Sequence, residues 1–196
     1  KVAVALHQGT PEQVAQMLIE ERADIGLATE SLAGFDELVT LPCYTWQHMM
    51  VVPAAHPLAL VERPTLEQLA AVPLVSYHPS FTGRTRIDAA FARAQLKPDI
   101  VLEAIDSDVI KTYVRSGLGV GIVAEMATRD EPIGGDLVSR SVGHLFGDNV
   151  SRVAFKRGAY LRSFVYTFAE LLSERLTRAL IVKAMAGTSD SSDHAL

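Results

Sequence analysis

The stretch TPEQVAQMLIEERADIGLAT, residues 10–29, carries the reading that decides the fold. Thr10 precedes Pro11, and Gln13 stands three residues after the threonine. This is the pattern of a helix start, with a side-chain acceptor for the free amides, a proline where no amide is needed, and a side chain reaching back. Val14, Met17 and Leu18 recur at helical spacing, so a helix is predicted from about Pro11 to Arg22. Asp24-Ile25-Gly26-Leu27-Ala28 then reads as a short buried strand, and Thr29-Glu30-Ser31 opens a loop at its carboxyl end. Upstream, Lys1-Val2-Ala3-Val4-Ala5-Leu6 has the pattern of the middle of a strand, which completes a βαβ unit. With no methionine at its start, the chain is expected to be cut from something longer.

The alternation continues outward from this unit. Leu38 to Pro53 is a long extended apolar stretch interrupted by Pro42, too long for one ordinary strand, and is expected to travel from one sheet to another. His56-Pro57-Leu58 ends it in a turn. Thr65-Leu66-Glu67-Gln68 repeats the capping pattern, and its helix is expected to stop before Pro73. Leu74-Val75-Ser76-Tyr77 reads as a strand, and the polar turn His78 to Gly83 leads into a helix with Ile87, Ala90, Phe91 and Ala94 on one face. Asp99 to Ile105 is a further strand. Asp106 or Ser107 caps the next helix, whose apolar stripe is Val109, Ile110, Tyr113 and Val114, and Gly117 sits where a left-handed residue would end it. Val120 to Ala124 and Val150 to Phe155 are strands, and Phe164, Val165, Phe168, Leu172 and Leu176 mark one long closing helix from Leu161. The polar residues from Gly187 read as a frayed tail. Strands alternating with helices in this way predict an α/β architecture with largely parallel pairing.

Composition narrows the function. Of 196 residues 48% are apolar and 21% charged, the balance of a globular protein. The net charge of −5 offers no global basic field for a phosphate backbone, so nucleic acid is not an expected partner of this chain alone. No apolar run approaches the roughly 20 residues a membrane helix needs, and no export signal is visible. The single cysteine, Cys43, excludes an intrachain disulfide and a thiolate zinc site and fits a reducing compartment. It stands in an apolar stretch and reads as a small buried hydrophobe. Gly119-Val120-Gly121-Ile122-Val123-Ala124 matches a dinucleotide fingerprint in letters only, because it follows a helix and enters a strand where the fingerprint must do the reverse. No phosphate-loop, zinc-protease or nucleophile-elbow motif occurs, and the six histidines are scattered singly. Neither catalysis nor a cofactor nor a metal is expected.

Two threonines stand out. Thr29 lies just beyond the carboxyl end of a buried strand, where open α/β sheets place ligands. Thr82 lies at a helix start, with Gly83 letting the backbone approach and with the free amides and dipole favouring an anion. Each alone is consistent with an ordinary cap. On opposite sides of the long crossing stretch, the pair suggests two lobes closing on one small anion.

Several segments together resemble a family. They are Asp24 to Glu30, Leu41-Pro42-Cys43-Tyr44-Thr45-Trp46, His56-Pro57-Leu58, Phe81-Thr82-Gly83-Arg84, Asp106 to Val114, and Gly117-Leu118-Gly119-Val120-Gly121. Over nearly the whole chain this is similar to the effector-binding domain of LysR-type transcriptional regulators, and within them to the CysB/Cbl branch that controls sulfur assimilation. The resemblance implies a periplasmic-binding-protein-like α/β fold of two lobes joined by two crossing strands, with an effector in the cleft. Lobe I is expected to comprise 1–46 with 147–196, and lobe II 47–146. Family members line their anion site with the threonine after the Asp-Ile-Gly strand and with the Phe-Thr-Gly segment, which carries over to Thr29 and to Phe81, Thr82 and Gly83.

The implied partners are a small anionic effector, namely sulfate, an acetylserine or adenosine phosphosulfate, and further copies of the same chain. Two family features are absent from this sequence: the amino-terminal winged helix-turn-helix, through which DNA would be bound, and a first strand and helix with a Thr-x-Thr-Gln stretch. The implied location is the cytoplasm, with no membrane contact. Arg86 to Arg93 and His144-Leu145-Phe146 lean toward the Cbl type. The alternative class is an oxyanion-binding protein of a transporter, which would share the fold but needs export. An enzyme of the porphobilinogen deaminase type would need a cofactor-bearing cysteine in a cleft loop, which Cys43 is not placed to be.

Overall fold

The computed structural model describes residues 2–129 and 135–187. The polar tail lies outside the described residues beyond Gly187. The chain divides into two compact units, one of residues 1–44 with 150–196 and the other of residues 45–149.

The first unit contains helix α1 (Pro11–Ile19), strand β1 (Gly26–Thr29), strand β2 (Leu38–Trp46, entering the second unit at Thr45) and strand β8 (Asn149–Lys156, in the first unit from Val150). Helices α6 (Ser163–Leu172) and α7 (Arg178–Met185) close it. Its three-stranded sheet has the order β1-β8-β2. Thr10 caps α1 as its sequence predicts, accepting from the Gln13 amide while the Gln13 side chain accepts from the Thr10 amide. The helix stops three residues earlier than its apolar spacing suggests, because Glu21 turns to a left-handed φ of 58° and the Arg22 amide folds back on the Met17 carbonyl. Along β8, Val153 and Phe155 point into a core with Cys43, Val165, Ala169 and Ile181, while Ala154 faces Ala15, Leu18 and Leu32. The strand's alternation thus builds one core on each face.

Two expectations for this unit are corrected. Residues 2–10 form no strand, and Val2, Val4 and Leu6 are exposed, because no strand of the described residues lies alongside to complete a ladder. The closing helix is two helices. Ser173 is extended (φ −161°, ψ 131°) and donates its hydroxyl to the Cys43 carbonyl at 2.9 Å, and Thr177 caps the new helix by accepting from the Leu180 amide.

The second unit holds strands β3 (His48–Pro53), β4 (Pro73–Tyr77), β5 (Asp99–Ala104), β6 (Val120–Ala124) and β7 (Leu137–Ser141). Its helices are α2 (Leu66–Ala70), α3 (Thr82–Arg93), α4 (Ser107–Arg115) and α5 (Gly143–Phe146). The sheet order is β5-β4-β6-β3-β7. Pairing is mixed where the sequence suggested mostly parallel: β4 runs parallel to β5 and β6, but β3 is antiparallel to both β6 and β7. Helical crossovers dictate parallel pairing only for the strands they join directly, and β3 arrives instead from β2.

Alternation again assigns the faces. Met50, Val52, Leu74, Val120 and Ile122 pack with Leu69, Ile87 and Phe91, while Val51, Val75, Tyr77 and Val123 pack with Ile110 and Val114 of α4. The two glycines that mimicked a dinucleotide motif serve packing. A β-carbon on Gly119 would stand 2.5 Å from the Pro73 carbonyl oxygen, and one on Gly121 would stand 2.8 Å from Val114 Cγ2. Gly117 has the left-handed φ of 80° that its position predicts.

Candidate functional site

In the first unit, Thr29 ends β1 and stands opposite Ser151 of β8, which is buried. Its hydroxyl lies 3.5 Å from that of Ser31 in the following 3-10 turn, which carries no side-chain cap from Thr29. Glu30 next to it accepts from the Val150 amide at 3.4 Å. Thr29 is half-buried at the strand's carboxyl end, as the sequence places it.

In the second unit, Thr82 is the first residue of the twelve-residue helix α3 rather than its cap. The cap position belongs to Phe81, whose ring offers no acceptor, so no side chain of that residue closes the helix start. A start of this kind concentrates outward-pointing amides and the positive end of the helix dipole, and the Thr82 hydroxyl adds a donor beside them. Phe81 packs by its ring against Tyr77 at 6.1 Å, which fixes the turn from below. The Tyr77 hydroxyl in turn lies 2.6 Å from Ser107 Oγ and accepts from the Ala124 amide at 2.9 Å, joining the starts of α3 and α4 to the end of β6.

Gly83 is buried, and its lack of a side chain is structural. A β-carbon there would lie 3.0 Å from His48 Nε2 and 3.3 Å from Trp46 Cη2. Sequence reading singled out Gly83 for backbone approach but missed the two rings that need the space. The signal available was the i, i+2 spacing of Trp46 and His48 on either side of Gln47, where β2 ends and β3 begins. Their rings meet edge to face at 5.2 Å, and Phe146 adds a second edge contact to His48 at 5.5 Å. His48 is wholly buried, and burial, together with the positive charge of Arg86, pushes its pKa down to about 4. The imidazole is therefore neutral across the physiological range.

Arg84, one residue on, is buried but fully engaged: it donates to the Tyr77 carbonyl, Asp88 and Glu103, and so holds α3 onto β4 and β5. Cys43 lies in the first unit's core, where burial raises its thiol pKa, the opposite of what a nucleophile needs. Among the described residues, no helix is long and apolar enough to cross a membrane.

Two units of this kind, each built of a sheet with helices packed on it, define the periplasmic-binding-protein-like class of domain. Residues 1–177 match the model of the LysR substrate binding domain. The chain belongs to that family. It is 54% identical over 191 residues to the HTH-type transcriptional regulator CysB of Burkholderia cenocepacia, covering 97% of this chain and 61% of the relative. The regulator SsuR of the same organism is 46% identical over 181 residues, 92% of this chain and 58% of the relative. The chain thus spans about three-fifths of the length of these relatives. Among solved structures, the cofactor-binding domain of the Cbl transcriptional regulator superposes with a TM-score of 0.84 at 43% identity, covering 91% of this chain and 78% of that one.

Proposed function

We propose that this chain is the ligand-sensing part of a cytoplasmic LysR-type regulator of sulfur-assimilation genes, and that its effector is a small sulfur-related or acetylserine-type anion. The observation that carries the reading is the start of α3, where Thr82 and the first-turn amides stand behind a cap residue without an acceptor. Thr29, at the carboxyl end of β1 in the first unit, is the second residue assigned to effector binding. The relatives carry the names of transcriptional regulators, which favours this over a transporter's binding protein and over an enzyme. Operator reading is assigned to a winged helix-turn-helix outside this chain, and the sensing part works as an oligomer, in which effector binding shifts the population of conformers.

The test is calorimetric titration with sulfate, acetylserine and adenosine phosphosulfate. A hydrogen bond to a charged ligand contributes roughly 1.5 to 3 kcal/mol, so Thr82→Ala is expected to weaken binding of the responding anion about tenfold or more. Equal affinity in the variant overturns the site.

A further inference from the structure

His48 has a chemical position that the anion site does not yet use. It is fully buried, and its Nε2 faces the backbone of Gly83 in a contact that favours the protonated ring but falls short of full hydrogen-bond geometry. Its Nδ1 lies 3.4 Å from Asn149 Nδ2, and Asn149 is equally buried, with its own Oδ1 unpartnered. With the amide as donor, the imidazole proton sits on Nε2, toward Gly83. Buried polar atoms left unpaired are costly, and an apolar ring would fill this volume without that cost. A polar ring at this position carries that cost, which a role at the site would offset.

The placement of the two residues indicates that role. The chain passes from the first unit to the second between Tyr44 and Thr45, and returns between Asn149 and Val150. His48 and Asn149 stand close to these two passages, and the contact between their side chains joins the passing segments. Beside them, Gln47 donates to Asp148 Oδ1 at 2.8 Å, a second tie of the same kind. On its other side the His48 ring meets the residue that follows Thr82. One side chain therefore meets the first turn of α3 and Asn149, the last residue of the second unit.

We propose that His48 is a positioning residue for the anion site: against Gly83 it fixes the first turn of α3, and through Asn149 it ties that turn to the strand by which the chain leaves the second unit. The inference rests on the reading that Thr82 binds the effector. It also assigns Gly83 a role, since a β-carbon there would stand 3.0 Å from Nε2 and the imidazole would have to give by a few tenths of an ångström.

The chain offers its own reporter. Trp46 is the single tryptophan, and its ring is in edge contact with His48. Sulfate, acetylserine and adenosine phosphosulfate are titrated while Trp46 fluorescence and calorimetric heat are followed, in the wild type and in Thr82→Ala, His48→Phe, His48→Gln, Gly83→Ala and Gly83→Ala/His48→Asn. His48→Phe keeps a ring of similar volume but removes both nitrogens, and is expected to weaken binding about tenfold, the loss of roughly one polar contact. His48→Gln, which returns an amide donor near the Nε2 position, is expected to bind within about threefold of the wild type. Gly83→Ala is expected to lose affinity as well, and the shorter asparagine at 48 to restore most of it by vacating the space. A merely structural role would not give rescue by these two routes.

If Thr82→Ala loses affinity while His48→Phe and Gly83→Ala, both folded by circular dichroism, bind as the wild type does, this inference falls and the anion site stands. If Thr82→Ala binds unchanged, or the wild type responds to none of the three anions, the site reading falls and takes this one with it. Should His48→Phe fail to fold, the Gly83→Ala pair decides: loss with rescue supports the proposal, and loss without rescue or no loss overturns it.

Discussion

The buried imidazole of His48 links stability to pH in a direction that can be worked out. Its folded-state pKa is about 4, against 6.5 for the free side chain. Between these values the unfolded chain takes up a proton that the folded chain refuses. The associated stability is therefore fully present above pH 6.5 and is lost as pH falls toward 4, by about 3 kcal/mol at pH 4. Arg86 is the charged group that acts on the ring, while Trp46, Phe146, Gly83 and Asn149 around it are uncharged. Urea unfolding of the wild type and of His48→Phe between pH 4 and pH 7 checks this. The variant's stability is expected to fall less steeply, and parallel pH profiles would refute the assignment. Thr29, Thr82 and Gly83 were legible at this scale, because strand ends, helix starts and glycines announce themselves locally. His48 was not, since a lone histidine in an apolar segment gives no sign of which helix its ring meets.

Among the elements, the close approach of α4 and β6 to their neighbours depends on two glycines of different kinds. At Gly121 an added β-carbon meets branched side chains of α4, Val114 Cγ2 at 2.8 Å and Ile110 Cγ2 at 3.1 Å, which give way only as the helix face moves slightly outward. At Gly119 it meets the backbone of Pro73 at 2.5 Å, and backbone within a sheet yields far less. Gly121→Ala is expected to cost about 1 to 3 kcal/mol, the usual range for overpacking, and Gly119→Ala more than Gly121→Ala. Urea midpoints of the two variants decide the order, and the reverse order would contradict the geometry. Most elements were legible here because their punctuation is explicit: the capping boxes at Thr10 and Thr65, the Asp106 cap and the left-handed Gly117 all form as their residues predict. The division between α6 and α7 was hidden. Leu172 and Leu176 keep helical spacing across it, and the interruption comes from a tertiary bond, Ser173 to the Cys43 carbonyl.

For the molecule as a whole, the division into units has an asymmetric consequence. The second unit is continuous in sequence, and its sheet and both of its core clusters lie within residues 45–149. The first unit takes residues from both ends of the chain. A fragment of residues 45–149 is accordingly expected to fold alone, with α/β circular dichroism and one cooperative urea transition. A non-cooperative transition would show that the unit needs the rest of the chain. The net charge of −5 leads to a separate expectation, that this chain by itself does not retain operator DNA in a mobility-shift assay. Sequence-specific retention that persists at raised salt would contradict the assignment of DNA reading to another part of the protein.

The sequence by itself determined where most helices start, which strand faces are apolar, that the architecture is α/β, and which family's segments the chain carries. These properties live in neighbours a few residues apart, where capping, periodicity and backbone permissiveness act. The tertiary structure alone decided strand direction in the mixed sheet, the loss of a ladder for residues 2–10, the division of the closing helix, and the meeting of His48 with Gly83 and Asn149. Each depends on groups distant in sequence, His48 and Asn149 being 101 residues apart, and no local propensity encodes which distant backbone or ring will complete a hydrogen bond or fill a gap.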